Sequence, residues 1–233
     1  MKNTTKSALI VIDMENGFVD RESVHCIKMA KESIPACVRT VENARRKNIP
    51  VFFVKRIYRE DGSDVELTRY EGWKNGGRSM SPGSHGYNSA EQVEGLKPKK
   101  GDYTIIKPRW SAFFHTELDL ILRRLRVENV ILIGTTTPNC IRTSAYDANA
   151  LEYNVVIVED ACSSATAEIQ EANIADLRRM GAIILSSEEF DDYDANTVFP
   201  QHDKILREMD ENGIAPEKYI ELQDGTYASI DRW

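Results

Sequence analysis

The stretch VENVILIGTTTPNCIRTSAYDANALEYNVVIVEDACSS, residues 127–164, decides the fold class. Two nearly unbroken apolar runs, Val130–Gly134 and Val155–Glu159, bracket a more polar segment that opens with the tight loop Thr135-Thr136-Thr137-Pro138-Asn139. A strand with one wet face alternates apolar and polar residues; a strand covered on both faces does not need to. The run–helix–run spacing is that of a βαβ unit around a mostly parallel sheet.

The same rhythm continues outward in both directions. Ala8–Asp13, Pro50–Lys55, Tyr103–Lys107 and Ala182–Leu185 are short, apolar strand candidates, with amphipathic segments between them. Ser33 can cap a helix with the apolar stripe Ile34, Val38, Val41 and Ala44, and Pro35 then falls in its first turn, where a missing N–H costs little. Thr116 can cap a second, with Leu118, Ile121, Leu122 and Leu125 on one face. Gly181 ends a third, spanning about residues 165–180.

Two segments break the pattern. Residues 57–102 are rich in Gly, Ser, Asn and charge and hold no clear element, and so long a connection usually covers an active site or moves. Residues 191–233 are polar, with a short helical pattern around Ile205–Met209, and read as an appendage to a core domain spanning 1–190, suited to packing on a neighbouring subunit.

Composition narrows the classes. The 233 residues carry a formal net charge of −7, which disfavours nucleic acid or an anionic membrane as partner. No run approaches the ~20 apolar residues of a membrane span, and Met1–Ser7 carries no signal-peptide core. Cys26, Cys37, Cys140 and Cys162 are too scattered for a disulfide framework, so the expectation is a soluble cytoplasmic chain with reduced thiols. GxGxxG, GxxxxGK[ST] and GxSxG are all missing. The four histidines (His25, His85, His115, His202) are far apart, and no metal or other cofactor is expected.

In open parallel sheets, functional groups gather beyond the carboxyl ends of the strands. Asp13 closes the first strand, Lys107 the third, and Cys140 follows the fourth at the start of a helix. A helix N-terminus and a nearby ammonium both favour thiolate over thiol. Asp13 could serve as base and then acid, and the backbone amides around Cys140 could hold an oxyanion. Taken singly, these residues read as a turn former, a solvated lysine and a small buried apolar group. Their coincidence at three strand ends makes catalysis a reading of equal weight.

The block at residues 107–164 (KPRWSAFFHTELDL…VEDACSS), with ALIVIDMENGFVD at 8–20 and PVFFVKR at 50–56, resembles the isochorismatase-like cysteine hydrolases over about residues 7–190. The resemblance implies a Rossmann-like three-layer sandwich, with a six-stranded parallel sheet and helices on both faces. It also implies Asp13 as general base, Lys107 as charge-stabilising ammonium and Cys140 as nucleophile. A cis bond would join Thr135 and Thr136, and the oxyanion hole would be built from the Thr136 and Cys140 amides. Phe18, Arg109, Trp110 and Ser111 fall where relatives line or buttress the pocket.

Glu15, Pro138, Asn139 and Tyr146 depart from the family's usual residues, and Glu15 would add a negative charge near the site. Isochorismatases proper lack the cysteine, and nicotinamidases hold a metal through a DxH motif that KRIYREDGSDVEL at 55–67 does not contain. The expectation is therefore a metal-free amidohydrolase acting on a small amide or ureide with ammonia release, assembled as a homodimer or homotetramer. A nicotinamidase-like or isochorismatase-like hydrolase, or a catalytically silent binding member, is the alternative.

Overall fold

The computed structural model describes residues 5–82, 84, 89–197, 199–212, 219–221 and 227–229. Six strands form one all-parallel sheet: β1 Ser7–Ile12, β2 Val51–Arg56, β3 Tyr103–Lys107, β4 Asn129–Thr135, β5 Asn154–Ser163 and β6 Ile183–Leu185, in the order β3-β2-β1-β4-β5-β6. Every residue of β1 and β4 is buried, which is why neither run alternates. On one face Ala8, Ile10, Ile12, Phe52, Val54, Val130, Leu132 and Ile157 pack against Leu118 and Leu122 of α4 (Leu118–Arg124), Ala145 and Ala148 of α5 (Arg142–Ala150), and Ile174 and Leu177 of α6 (Ala167–Met180). The larger of these side chains each stabilise the fold by roughly 1.5–3 kcal/mol on burial. On the other face α2 (Ala30–Arg46) lies mainly over β5 and β4, and the Cys37 thiol donates to the Ala161 carbonyl at 3.1 Å. The short helix α1 (Asn16–Val19) follows β1 directly.

The start of α2 differs from the expectation. Ser33 lies inside the helix, and its hydroxyl donates back to the Ala30 carbonyl at 2.9 Å instead of capping. Pro35 is likewise interior. The buried stripe is Ala30, Ser33, Cys37, Thr40, Val41 and Ala44, while Ile34 and Val38 are only partly covered; small residues let the helix approach the sheet. Thr116 is not the cap of α4 either: that position falls to Glu117, whose side chain makes no cap bond, although the Thr116 hydroxyl accepts the Leu118 N–H at 3.3 Å. Gly181 ends α6 in the left-handed region at φ 108, as a C-terminal glycine should.

Residues 57–102 are more ordered than their composition suggests. They contain α3, Leu67–Asn75, in which only Trp73 is fully buried, so no apolar stripe marks it. Trp73 packs with Phe18, Tyr58, Val65 and Met80 in a small separate core, and its indole N–H donates to the Ser79 carbonyl at 3.0 Å. His85 lies outside the described residues.

The chain divides into two compact units, Met1–Thr197 and Val198–Trp233. Residues just past 190 stay with the first: Phe190 is buried and stacks on Tyr193 at 5.3 Å, and the Tyr193 and Ser7 hydroxyls meet at 2.9 Å. The second unit contains α7, Pro200–Asn212, and an antiparallel pair, β7 Tyr219–Glu221 with β8 Tyr227–Ser229. Residues 213–218, 222–226 and 230–233 of the expected appendage lie outside the described residues. Among the described residues no helix is long and apolar enough to cross a membrane.

Candidate active site

The sheet order reverses between β1 and β4, and a ligand crevice belongs beyond the strand ends at such a switch point. Asp13 leaves β1 in the left-handed conformation, φ 52, which Asp tolerates better than most residues. Its N–H donates to the Val54 carbonyl at 2.9 Å, so the turn is fixed to β2. Lys107 ends β3 opposite Arg56. Cys140 sits in a π-helical turn, Thr137–Ile141, between β4 and α5. The Thr135–Thr136 bond is cis. Thr136 and Thr137 both donate their hydroxyls to the Ser163 carbonyl, at 3.0 and 3.2 Å, fixing this loop to β5.

The three side chains converge. Lys107 Nζ lies 2.8 Å from Asp13 Oδ2, 3.6 Å from Cys140 Sγ and 2.9 Å from the Arg109 carbonyl. Asp13 and Lys107 are fully buried and Cys140 is 4% exposed. Removing either partner of such a buried ion pair costs about 3–5 kcal/mol, because the other is left as an uncompensated charge. Ser144, which the sequence gave no reason to single out, donates to the Cys140 carbonyl at 2.6 Å and accepts the Ala112 N–H at 2.9 Å. It joins the thiol's turn to the segment that leaves Lys107.

The surroundings of the sulfur oppose the thiolate that its place at a helix start led us to expect. Burial, and then the Asp13 carboxylate, push its pKa up to about 11, and the opposing charges of Lys107 and Arg56 do not make up the difference. In water-excluded surroundings the neutral form wins. Iodoacetamide modification of Cys140 should therefore accelerate with rising pH towards that value. Asp13→Asn should move the midpoint down and Lys107→Ala should move it up. Rate–pH profiles for the three proteins check the signs, and equal midpoints would mean that neither charge reaches the thiol.

Glu15 corrects a second expectation. It is fully buried, its Oε2 accepts the Arg56 N–H at 2.8 Å, and burial and the Asp13 charge hold its pKa well above the ordinary carboxylate value. Both effects work against the negative charge expected from the replacement of the family's usual residue, while the Arg56 N–H, Lys55 and Lys107 work for it. Tyr146, another departure, points its hydroxyl at Asp176, 3.0 Å away on α6 and outside the cavity.

A cavity of about 270 Å³ opens onto the thiol, lined by Asp13, Phe18, Thr135, Thr136, Asn139 and Cys140 from the sheet side, and by Val24–Ile27 and Arg69 from above. Of the four residues expected to line or buttress the pocket, Phe18 lines it and Trp110 supports the lining residue Arg69. Arg109 turns away to the Asp64 and Pro108 carbonyls, at 2.8 and 2.6 Å. Trp110 is 39% exposed and lies under the Arg69 guanidinium, 5.8 Å from ring centroid to Cζ. Ser111 is buried and accepts the Phe113 N–H. Among the described residues no three His, Cys, Asp or Glu side chains are grouped as metal ligands would be.

A doubly wound parallel sheet with a lysine–aspartate pair against a buried cysteine defines the class: a three-layer α/β scaffold carrying a candidate thiol site. A match to the Isochorismatase domain spans residues 7–189, and the chain belongs to the isochorismatase family. It is 41% identical over 177 residues (75% of this chain, 89% of the relative) to a "probable inactive nicotinamidase" of Arabidopsis thaliana. It is 29% identical over 189 residues (72% and 82%) to the ureidoacrylate amidohydrolase of Azorhizobium caulinodans. The crystal structure of an isochorismatase family protein from Desulfovibrio vulgaris superposes with TM-score 0.76 at 40% identity, covering 81% of this chain and 98% of that one.

Proposed function

We propose that this isochorismatase-family hydrolase is a cysteine-dependent amidohydrolase that releases ammonia from a small amide or ureide. The observation that carries the reading is the contact of the buried Lys107 with both Asp13 and Cys140, which line one cavity. Asp13 takes the Sγ proton as the sulfur bonds to the carbonyl carbon. The oxyanion forms beside the backbone amides of Thr136 and Cys140, which are its donors. Lys107 balances the charge on Asp13 and on the sulfur. Collapse breaks the C–N bond, and Asp13 returns the proton to the departing nitrogen. The same carboxylate then deprotonates a water that cleaves the thioester, restoring the thiol.

Relatedness to an amidohydrolase of ureidoacrylate supports the C–N bond as the target. The four free cysteines suit a reducing, cytoplasmic setting, and a homodimer or homotetramer is the assembly the family resemblance suggests.

An ammonia-release screen over small amides and ureides tests the proposal. Alkylation of Cys140 by excess iodoacetamide at alkaline pH is expected to abolish the activity found, and dialysis against EDTA and o-phenanthroline to leave it unchanged, because the three side chains already supply nucleophile, base and charge. Loss on chelation with recovery on added zinc would restore a metal-anchored, nicotinamidase-like reading. Release from no substrate together with an unreactive Cys140 would favour a silent binding member, the reading to which the name of the Arabidopsis relative points.

A further inference from the structure

We infer that Arg69, with His25 beside it, forms an anion-recognising wall of the Cys140 cavity, so that the substrate of this site carries a carboxylate. The inference rests on the proposed hydrolase reading for its amide end, but its own ground is the cavity's charge. Arg69 reaches the cavity from α3, half-buried, and lines it together with Asp13 and Cys140. Among the described residues it makes no ion pair. The carboxylate that could answer it, Glu66 one turn earlier, is already engaged: Oε1 by the Arg56 guanidinium and Oε2 by the Tyr58 hydroxyl at 2.6 Å.

The remaining charges of the lining cancel or vanish. Asp13 is balanced by Lys107 at 2.8 Å. Burial and the Asp13 charge push the Cys140 thiol up to about 11, against a charge on the sulfur. His25 lines the same wall, and its Nε2 is buried without a hydrogen-bond partner. Burial, and then the neighbouring Arg69 charge, hold its pKa below the ordinary imidazole value, so it brings a polar atom and no second charge. The walls therefore carry one uncompensated positive charge, and it belongs to Arg69. An arginine fork matches a carboxylate in two parallel hydrogen bonds, and partial burial strengthens them. The Trp110 ring beneath the guanidinium holds the arm in place. With only about 270 Å³ available, the ligand is small, and a carboxylate a few bonds from the scissile carbonyl can meet both ends at once.

The binding test is separated from turnover by using the Cys140→Ala protein. Calorimetric titration with N-carbamoylglycine and with its neutral counterpart, N-carbamoylglycinamide, is done with Arg69 intact and in Arg69→Gln. The acid is expected to bind about tenfold or more tightly than the amide. Arg69→Gln should erase that preference while changing the neutral ligand's affinity by less than about twofold. Arg69→Lys, which keeps the charge but not the fork, should retain part of it. Equal affinities, no binding of the acid, or a parallel loss of both ligands in Arg69→Gln would overturn the inference; a merely structural arginine gives the last result. The hydrolase reading fails separately. An intact preference with no ammonia release from any substrate by the wild-type protein would sink that reading and leave the anion site standing. Equal kcat/KM for acid and neutral substrates would do the reverse.

Discussion

Replacing Cys140 with serine is expected to lower turnover on the order of 10⁴-fold or more, with the fold intact. Serine is close in size to cysteine and sits among partners that do not depend on sulfur: the Lys107–Asp13 pair remains, and so does the Ser144 bond to the residue 140 carbonyl. An alcohol is far harder to deprotonate than a thiol, and burial, which already pushes the thiol up to about 11, would weigh against an alkoxide still more. Ammonia release measured beside a thermal melt separates the two effects. Retention of more than a few per cent of activity at an unchanged melting temperature would remove Cys140 as the nucleophile.

The largest expected effect on folding comes from Gly134→Ala. Gly134 lies in β4 at φ 114, a conformation costly to any side chain, and is paired in register with Ile12 of β1. An added Cβ would intrude on the Ile12 carbonyl oxygen and stand 2.9 Å from its carbonyl carbon. Both belong to the backbone of a buried central strand and cannot step aside. Strain and overpacking together should cost about 3 kcal/mol or more. The neighbours at risk are Asp13 on one strand and Thr135 on the other. Urea unfolding should show the loss, with Gly72→Ala as the control: that glycine is helical and open, with nothing within 4 Å of a new Cβ, so its replacement should be neutral or slightly stabilising. An unshifted midpoint in Gly134→Ala would mean that the β1–β4 contact has room for a methyl group.

The sheet was legible in the sequence because β1, β2, β4 and β5 are buried on both sides, and that condition writes itself as unbroken apolar runs. Asp13 was legible for the related reason that it stands where such a run stops, whereas Lys107 closes the alternating strand β3 and Cys140 follows β4 only after the tight loop. The upper wall of the cavity was not. Arg69 comes from a helix with one fully buried residue, and His25 from a turn; neither segment has a period to read. Ser33 misled because a serine before an apolar stripe looks the same whether it caps a helix or bonds back inside one. The state of the thiol was beyond pattern reading altogether. It depends on how completely water is excluded and on how near Asp13 stands, and both are properties of the folded cavity.

The small core of Phe18, Tyr58, Val65, Trp73 and Met80 gives the segment above the site a foundation of its own, separate from the main core under the sheet. The groups that would break a bond therefore hang from the strands, while the one that would choose the molecule hangs from α3. Selection and chemistry can then drift at different rates. Substitutions along the outer face of α3 can redraw what enters without disturbing Lys107 or Asp13. A chain of this design can change diet while keeping its teeth.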